Sequence, residues 1–196
     1  MLSLKNSLEV LRKTNALLEG HFILSSGLHS PIYIQCAKLL SYPYLAEKIC
    51  KSLSNKIKKN FKKIDLILSP AIGGIVIGYE IGRLLKKETI FAERVNGKFV
   101  LRRGFFIKQN SNVLIIEDVI TTGKSSLECV NLIKKSKAKL LGFASIIDRS
   151  NKKTLKIKGK KIISHIKIKV PTYEKKKLPK FIRSIPITTP GSRYIK

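Results

Sequence analysis

The sequence predicts an α/β fold in which a mainly parallel sheet is flanked by helices. From Asp65 onwards, short apolar runs typical of buried strands alternate with segments of helical periodicity. This alternation indicates parallel strands joined by helical crossovers. The length of 196 residues and the hydrophobic fraction of 43% are enough for one sizeable core. We therefore expect a single domain over residues 1–196.

The first 60 residues contain two predicted helices and two short predicted strands. Leucines recur at helical spacing over residues 3–18, and Gly20 supplies a stop. Strands are predicted at residues 22–24 and 32–34, on either side of a turn. Pro43 then opens a helix, whose apolar positions are Leu45, Ile49, Leu53 and Ile57.

The predicted core follows from Asp65, and a hairpin interrupts it. Strands are predicted at residues 66–68, 89–92, 113–116 and 141–147, and helices at residues 73–85 and 123–135. Asn96 and Gly97 separate two apolar stretches, and this pair of residues is a strong hairpin signal. We expect the hairpin to project from the parallel sheet.

The chain becomes rich in lysine after Arg149 and contains one more alternating stretch, at residues 162–170. We interpret this stretch as a strand followed by a proline-containing tail. The prediction is a core over about residues 42–150 and a small subdomain built from the two chain ends, residues 1–41 and 151–196.

The formal net charge of +28 is the strongest compositional signal, and charge alone favours a polyanionic partner. However, 32 of the 40 basic residues are lysines spread along the whole chain, without the interleaved aromatic residues typical of a nucleic-acid groove. We expect a solvated surface and no nucleic-acid partner.

No apolar run approaches the ~20 residues of a membrane span, and residues 1–11 lack the apolar region of a signal peptide. The prediction is a cytoplasmic protein without a membrane partner, with Cys36, Cys50 and Cys129 as buried thiols.

The segment at residues 113–126 has the residues most suited to chemistry. A strand is followed by two carboxylates, Glu117 and Asp118, and then by a turn rich in hydroxyl groups at the start of a helix. Ligands bind beyond the carboxyl ends of parallel strands, and free amides at a helix start favour an anion. A ligand-free helix cap is the alternative. A P-loop is excluded, because its first glycine would fall at position 118, where Asp118 stands.

These residues resemble the signature of the type I phosphoribosyltransferases, which bind 5-phosphoribosyl-1-pyrophosphate (PRPP). The resemblance implies the fold of that family, with the small subdomain as its hood. It also implies that Glu117 and Asp118 hold the ribose hydroxyls and, through water, Mg²⁺, with no direct metal ligand from the protein. The 5′-phosphate would lie in the turn that follows. The implied PRPP-binding residues are Glu117, Asp118, Val119, Ile120, Thr121, Thr122, Gly123, Lys124 and Ser125.

Two other segments are similar to those of the orotate phosphoribosyltransferases. Residues 20–33 resemble their base-binding motif, in which Tyr33 is the candidate for stacking on orotate; within it we interpret His21 and His29 as ordinary loop residues. Arg149 ends a predicted strand, and its planar guanidinium suits the carboxylate of orotate. The resemblance assigns orotate contacts to Thr121 and Arg149.

Residues 93–104 resemble a shortened form of the family's mobile catalytic loop. Lys98 and Arg94 are the candidate catalytic cations and Asp118 completes the catalytic set, although Arg102 or Arg103 could fill either cationic role. Residues 69–75 resemble the pyrophosphate loop. The resemblance implies a homodimer that converts orotate and PRPP to orotidine 5′-monophosphate and pyrophosphate, in the synthesis of UMP. Two alternatives stay open: another base as acceptor, or a PRPP-sensing regulator that binds nucleic acid.

Overall fold

The computed structural model describes residues 2–24, 26–150 and 159–188. The helices are α1 Leu4–Lys13, α2 Cys36–Leu40, α3 Pro43–Asn60, α4 Gly73–Leu85, α5 Lys124–Lys135 and α6 Lys180–Arg183. The strands are β1 Leu17–Ile23, β2 His29–Ile34, β3 Leu66–Pro70, β4 Glu88–Val95, β5 Lys98–Val100, β6 Asn112–Ile120, β7 Lys139–Asp148, β8 Lys161–Lys167 and β9 Ile187–Thr188.

A six-stranded sheet forms the centre of the molecule, in the order β5-β4-β3-β6-β7-β8. Every neighbouring pair is parallel except β4 and β5, which form the antiparallel hairpin. The predicted parallel sheet and the predicted hairpin are therefore confirmed.

Alternate residues of the strands point to opposite faces, so the sheet has a separate core on each side. Ile67 and Leu114 pack with α3 and α4 on one face. Leu66 and Val113 pack with α5 on the other face. The four apolar positions predicted for α3 are all buried there, and α4 covers the predicted range of residues 73–85. Helical and strand periodicity thus agree with the layers of the fold.

A three-stranded sheet, in the order β2-β1-β9, forms the small subdomain. Its first strand begins earlier than the sequence predicted, because α1 ends at Lys13 and the backbone reverses at Asn15, whose φ is +54°. Leu18 therefore lies in β1 and not in the first helix. Residues 151–158 and 189–196 of the predicted subdomain lie outside the described residues.

Strand β8 belongs to the main sheet, whereas the sequence analysis assigned it to the small subdomain. It pairs in parallel with β7, from Gly142↔Lys161 to Asp148↔Lys167. The Nζ of Lys56 in α3 donates to the carbonyls of Ser164 and His165, at 3.1 and 2.8 Å. Ser7 Oγ of α1 also lies 2.8 Å from His165 Nε2. The core therefore extends beyond residue 150.

In the described ranges, none of the helices has both the length and the apolar character that crossing a bilayer requires.

Candidate active site

Strand β6 brings two carboxylates to the carboxyl edge of the sheet. The strand continues to Ile120, with Glu117 opposite Ser145 and Ile120 opposite Asp148 of β7. Glu117 is buried and accepts a hydrogen bond from the hydroxyl of Ser126 in α5. Burial raises the pKa of Glu117 to about 7, an effect that the neighbouring Asp118 increases and Ser126 opposes. The acid pair thus lies within a strand and not in the loop after it.

Asp118 lies against the first turn of α4. Its Oδ1 accepts a hydrogen bond from the amide of Val119 at 2.9 Å, and burial raises its pKa. A Cβ atom at Gly73 would stand 2.9 to 3.0 Å from the Asp118 carboxylate, closer than ordinary packing. A glycine at position 73 therefore allows the turn after β3 to approach the acid. This turn is the predicted pyrophosphate loop.

The predicted phosphate turn joins β6 to α5. Thr121 and Thr122 are exposed, and Gly123 has a φ of +73°, a conformation that glycine adopts at little cost. Helix α5 begins at Lys124, whose side chain is exposed and whose amide lies 3.4 Å from Thr122 Oγ1. The first amides of a helix have no partner within it and favour anions. The turn therefore presents hydroxyls and amides beside the acid pair.

Arg149 lies next to this turn, at the end of β7. Its amide donates to the carbonyl of Ile120 at 2.8 Å, which fixes it beside Thr121. The Nε of its guanidinium is buried and has no hydrogen-bond partner among the described residues. Burial lowers the pKa of Arg149, an effect that nearby Tyr33 and Cys36 oppose. An unsatisfied donor of this kind is costly unless a ligand accepts from it.

Tyr33 enters the site from β2 and is half-buried. Its ring lies 5.8 Å from that of Phe22, and its hydroxyl accepts a hydrogen bond from Gln35 at 3.4 Å. Cys36, two residues beyond β2, lies 3.8 Å from the carbonyl of Asp118. The small subdomain thus contributes to the edge at which Arg149 and the acids meet.

The β4–β5 hairpin contains the predicted catalytic cations. Asn96 and Gly97 both have positive φ, as the turn requires. Arg94 forms an ion pair with Glu128 of α5, and Arg103 forms one with Glu93. Lys98 and Arg102 are exposed, and neither forms an ion pair with another described residue. Arg94 and Arg103 are therefore engaged in ion pairs. Lys98 and Arg102 remain available to a ligand.

The two histidines of the motif at residues 20–33 are buried, so their interpretation as ordinary loop residues was wrong. His21 Nε2 lies 2.6 Å from His29 Nδ1, and His21 Nδ1 donates to the carbonyl of Ile185 at 3.1 Å. Tyr173 exchanges two backbone hydrogen bonds with His29, both of 2.8 Å. The pair joins segments about 160 residues apart in sequence. No local sequence pattern predicts this contact between distant segments.

Comparisons with known proteins identify the family of the chain. Residues 43–177 match the model of the phosphoribosyl transferase domain. The chain is 47% identical to an orotate phosphoribosyltransferase of Parvibaculum lavamentivorans over 96% of both chains. It is 43% identical to an orotate phosphoribosyltransferase of Caldicellulosiruptor saccharolyticus, over 96% of this chain and 97% of the relative.

The fold is also that of solved structures. The crystal structure of orotate phosphoribosyltransferase from Aeropyrum pernix has a TM-score of 0.69 and 22% identity, covering 82% of this chain and 93% of that one. At this identity the likeness shows the fold, which is the predicted type I phosphoribosyltransferase fold. Together with the close relatives and the domain match, it shows that the chain belongs to the phosphoribosyltransferase family and, within it, to the orotate phosphoribosyltransferases.

Proposed function

We propose that this chain transfers the 5-phosphoribosyl group of PRPP to orotate, giving orotidine 5′-monophosphate and pyrophosphate for pyrimidine biosynthesis. The observation that carries the proposal is the meeting of three features at one sheet edge. These are the acid pair Glu117 and Asp118, the phosphate turn, and the unpaired guanidinium of Arg149. Identity of 47% over nearly the whole length of a named relative supports it further.

In this proposal, PRPP lies along the edge between β6 and α5. The carboxylates of Glu117 and Asp118 accept hydrogen bonds from the two ribose hydroxyls. The stretch from Val119 to Ser125, which includes the phosphate turn, surrounds the 5′-phosphate with amides and hydroxyls. Gly73 and the rest of the turn after β3 face the pyrophosphate, where the absence of a side chain leaves the backbone amides accessible.

Catalysis depends on stabilising charge that develops as the substrate reacts. The bond from C1 of the ribose to pyrophosphate breaks, the ring nitrogen of orotate forms the new bond to C1, and the proton on that nitrogen is released. Positive charge develops on the ribose and negative charge on the leaving group. Asp118 lies on the ribose side, and the exposed Lys98 is the hairpin cation that we assign to the leaving pyrophosphate, with Arg102 as the second exposed cation.

Mg²⁺ is part of the proposal. No group of three or more potential metal-ligating side chains occurs in the described part of the chain. Mg²⁺ commonly keeps several waters and is held by one or two carboxylates together with substrate phosphates. Two desolvated carboxylates on successive residues of β6 fit that arrangement, and the ion would be held by PRPP and, through water, by Glu117 and Asp118. When bound, the ion neutralises charge on the pyrophosphate.

The acceptor is assigned through Arg149, with Thr121 beside it and Tyr33 facing the flat base. The guanidinium pairs with the carboxylate that distinguishes orotate from uracil. Replacing Arg149 with alanine should lower kcat/KM for orotate by about a hundredfold, because charge-assisted hydrogen bonds to a buried group contribute on the order of 3 kcal/mol. Arg12→Ala, at an exposed ion pair with Glu19, is the control.

The test is spectrophotometric loss of orotate in the presence of PRPP and Mg²⁺, run beside uracil and adenine. Turnover of orotate alone is the expected result. A wild-type protein that leaves orotate unchanged, or that prefers another base, would refute the assignment.

We also propose that the protein is a cytoplasmic homodimer. The family resemblance supports a dimer, as do five exposed apolar side chains in or just before α3 and α4, which are Tyr42, Tyr44, Ile72, Val76 and Tyr79. All three cysteines are buried, free thiols, which fits a reducing compartment. Light scattering after size-exclusion chromatography tests the dimer, and a monomeric mass at working concentration would contradict it.

A further inference from the structure

The N-terminal and C-terminal parts of the small subdomain meet at a pair of buried histidines. His21 of β1 and His29 of β2 are 3% and 4% exposed, and the Nε2 of the first lies 2.6 Å from the Nδ1 of the second. Both residues also contact the C-terminal part of the chain. His21 Nδ1 donates to the carbonyl of Ile185, and His29 exchanges two backbone hydrogen bonds with Tyr173. The pair therefore fastens residues 173–188 to the two strands.

Regular strand pairing does not fix the position of His21. The register of β1 against β2 shifts between Glu19 and Phe22, so the pairing is irregular where His21 stands. His21 and Phe22 are both buried, although alternation along a regular strand would turn them to opposite faces. The pairing of β9 with β1 begins at the same place, with His21 opposite Ile187. The side-chain contacts of His21 therefore stabilise a part of the strand that the regular ladder does not.

The contacts determine which ring nitrogens carry protons. A carbonyl oxygen only accepts, so His21 Nδ1 carries a proton and, in a neutral ring, Nε2 is the acceptor. His29 Nδ1 then donates to it, which leaves His29 Nε2 without a proton. A proton added to His21 would make two N–H groups face each other, so the intact pair accommodates one added proton at most. Two separated rings accept one each.

The surroundings of the pair do not favour added positive charge. Burial lowers the pKa of His29, and His21 and Lys175 lower it further. Within the described part of the chain, neither ring forms an ion pair with a carboxylate. The other charged residues on the surrounding elements are Glu19, which pairs with Arg12, Glu174, which pairs with Lys177, and the cations Lys176, Lys180 and Arg183. The contact is therefore most stable when both rings are neutral.

The pair adjoins the strand that contributes to the orotate side of the proposed site. His29 begins β2, which also contains Tyr33. Phe22, the neighbour of His21, places its ring 5.8 Å from the ring of Tyr33. The acid pair and the phosphate turn, in contrast, belong to β6 and the start of α5. A change at the histidines should therefore affect orotate more than PRPP.

We propose that His21 and His29 are positioning residues for the orotate side of the site, and that protonation separates them. As a neutral pair they hold residues 173–188 against the small sheet and keep β2 in place. The separated rings bind at least one more proton than the intact pair, so separation becomes easier as the pH falls below about 6.5, the ordinary pKa of histidine. One extra proton shifts the equilibrium about tenfold toward separation between pH 7.5 and pH 5.5. The effect on orotate rests on the proposed function.

Hydrogen exchange in the absence of substrates tests the separation directly. The protection factors of the His29 and Tyr173 amides, taken relative to intrinsic exchange, should fall about tenfold between pH 7.5 and pH 5.5. His29→Asn should remove this fall, because the new amide group can donate to neutral His21 or, after turning over, accept from protonated His21. Equal protection of wild type at both pH values, or an undiminished fall in His29→Asn, would overturn the proposal.

His165→Gln is the matched control for the exchange experiment. His165 is the third histidine of the chain and is also buried, but its ring contacts Ser7 of α1. This variant should keep the wild-type fall in protection at His29 and Tyr173. Loss of the fall in His165→Gln would assign the pH dependence to the main sheet and would also overturn the proposal.

Steady-state kinetics at pH 7.5 tests the effect on the site. His29→Leu removes the hydrogen bond and should raise the KM for orotate about fivefold, the typical contribution of one hydrogen bond to an equilibrium. The KM for PRPP should stay within roughly twofold of wild type, and His29→Asn should keep the wild-type KM for orotate. An equal rise in both KM values, or none in His29→Leu, would contradict the positioning role. A wild-type protein inactive with orotate would instead refute the proposed function, while the exchange result would still decide whether protonation separates the pair.

Discussion

Replacing Glu117 with glutamine should make the protein more stable at alkaline pH while removing activity. Glu117 is buried beside Asp118, and its pKa is raised from 4.5 to about 7. Each pKa unit corresponds to about 1.4 kcal/mol. The ionised carboxylate therefore lowers the free energy of unfolding by about 3 kcal/mol once the pH exceeds the folded-state pKa.

The direction in which stability changes with pH follows from proton binding at Glu117. Between pH 4.5 and about 7 the folded chain binds more protons at Glu117 than the unfolded chain does, so stability falls as the pH rises. Glutamine resembles the protonated acid and can still accept from Ser126. The stability difference between Glu117→Gln and wild type should be near zero at about pH 5 and approach 3 kcal/mol at about pH 8.

Urea unfolding followed by circular dichroism, without substrates, measures this difference at both pH values. Glu9→Gln, a change at an exposed position of α1, serves as the control and should show no such trend. A stability difference that is the same at both pH values would refute the assignment of buried charge to Glu117. Loss of orotate turnover is expected beside the gain in stability, because active-site groups are commonly kept at a cost to stability.

Three further changes have defined expected results. Gly73→Ala should weaken PRPP binding about tenfold or more, measured by calorimetry, because the new Cβ would stand 2.9 Å from the Asp118 carboxylate; unchanged affinity would contradict the close approach. Lys98→Ala should lower kcat about a hundredfold with little effect on PRPP binding, if this cation acts on the leaving group; equal losses in binding and kcat/KM would contradict that role. His165→Gln should reduce the loss in the free energy of unfolding as the pH falls from 6.5 to about 4, because burial lowers the pKa of His165 from 6.5 to about 4. The unfolded chain then binds the extra proton as the pH falls through this window, at a cost of at most about 3 kcal/mol to wild type, measured by urea unfolding.

The elements of the core could be predicted because their signals are local. The helical period over residues 73–85 and the apolar run at residues 66–68 each identify one element without reference to the rest of the chain. The order of the strands, in contrast, depends on pairing between distant segments. Strand β8 alternates like a strand of the small subdomain, and only its pairing with β7 shows that it extends the main sheet. The first helix was predicted too long, because leucine spacing continued past the backbone reversal at Asn15.

The candidate site also contains some features that a local motif predicts and others that it does not. The acid pair and the phosphate turn are contiguous in residues 113–126, so a motif could identify them. The approach of Gly73 to Asp118 and the pairing of Arg94 with Glu128 join residues 34 or more positions apart. Residue type at one position does not specify such a partner, and only the fold brings the two together.

The contact between Ser7 and His165 has a consequence for the way the chain is made. The two residues are separated by 158 positions, and synthesis proceeds at about 5–20 residues per second. Helix α1 is therefore translated roughly 8 to 30 seconds before its partner in β8. During that interval the side of α1 that contacts β8 lacks its native partner. Contacts this distant also slow folding, so the nascent chain offers chaperones a long period in which to bind.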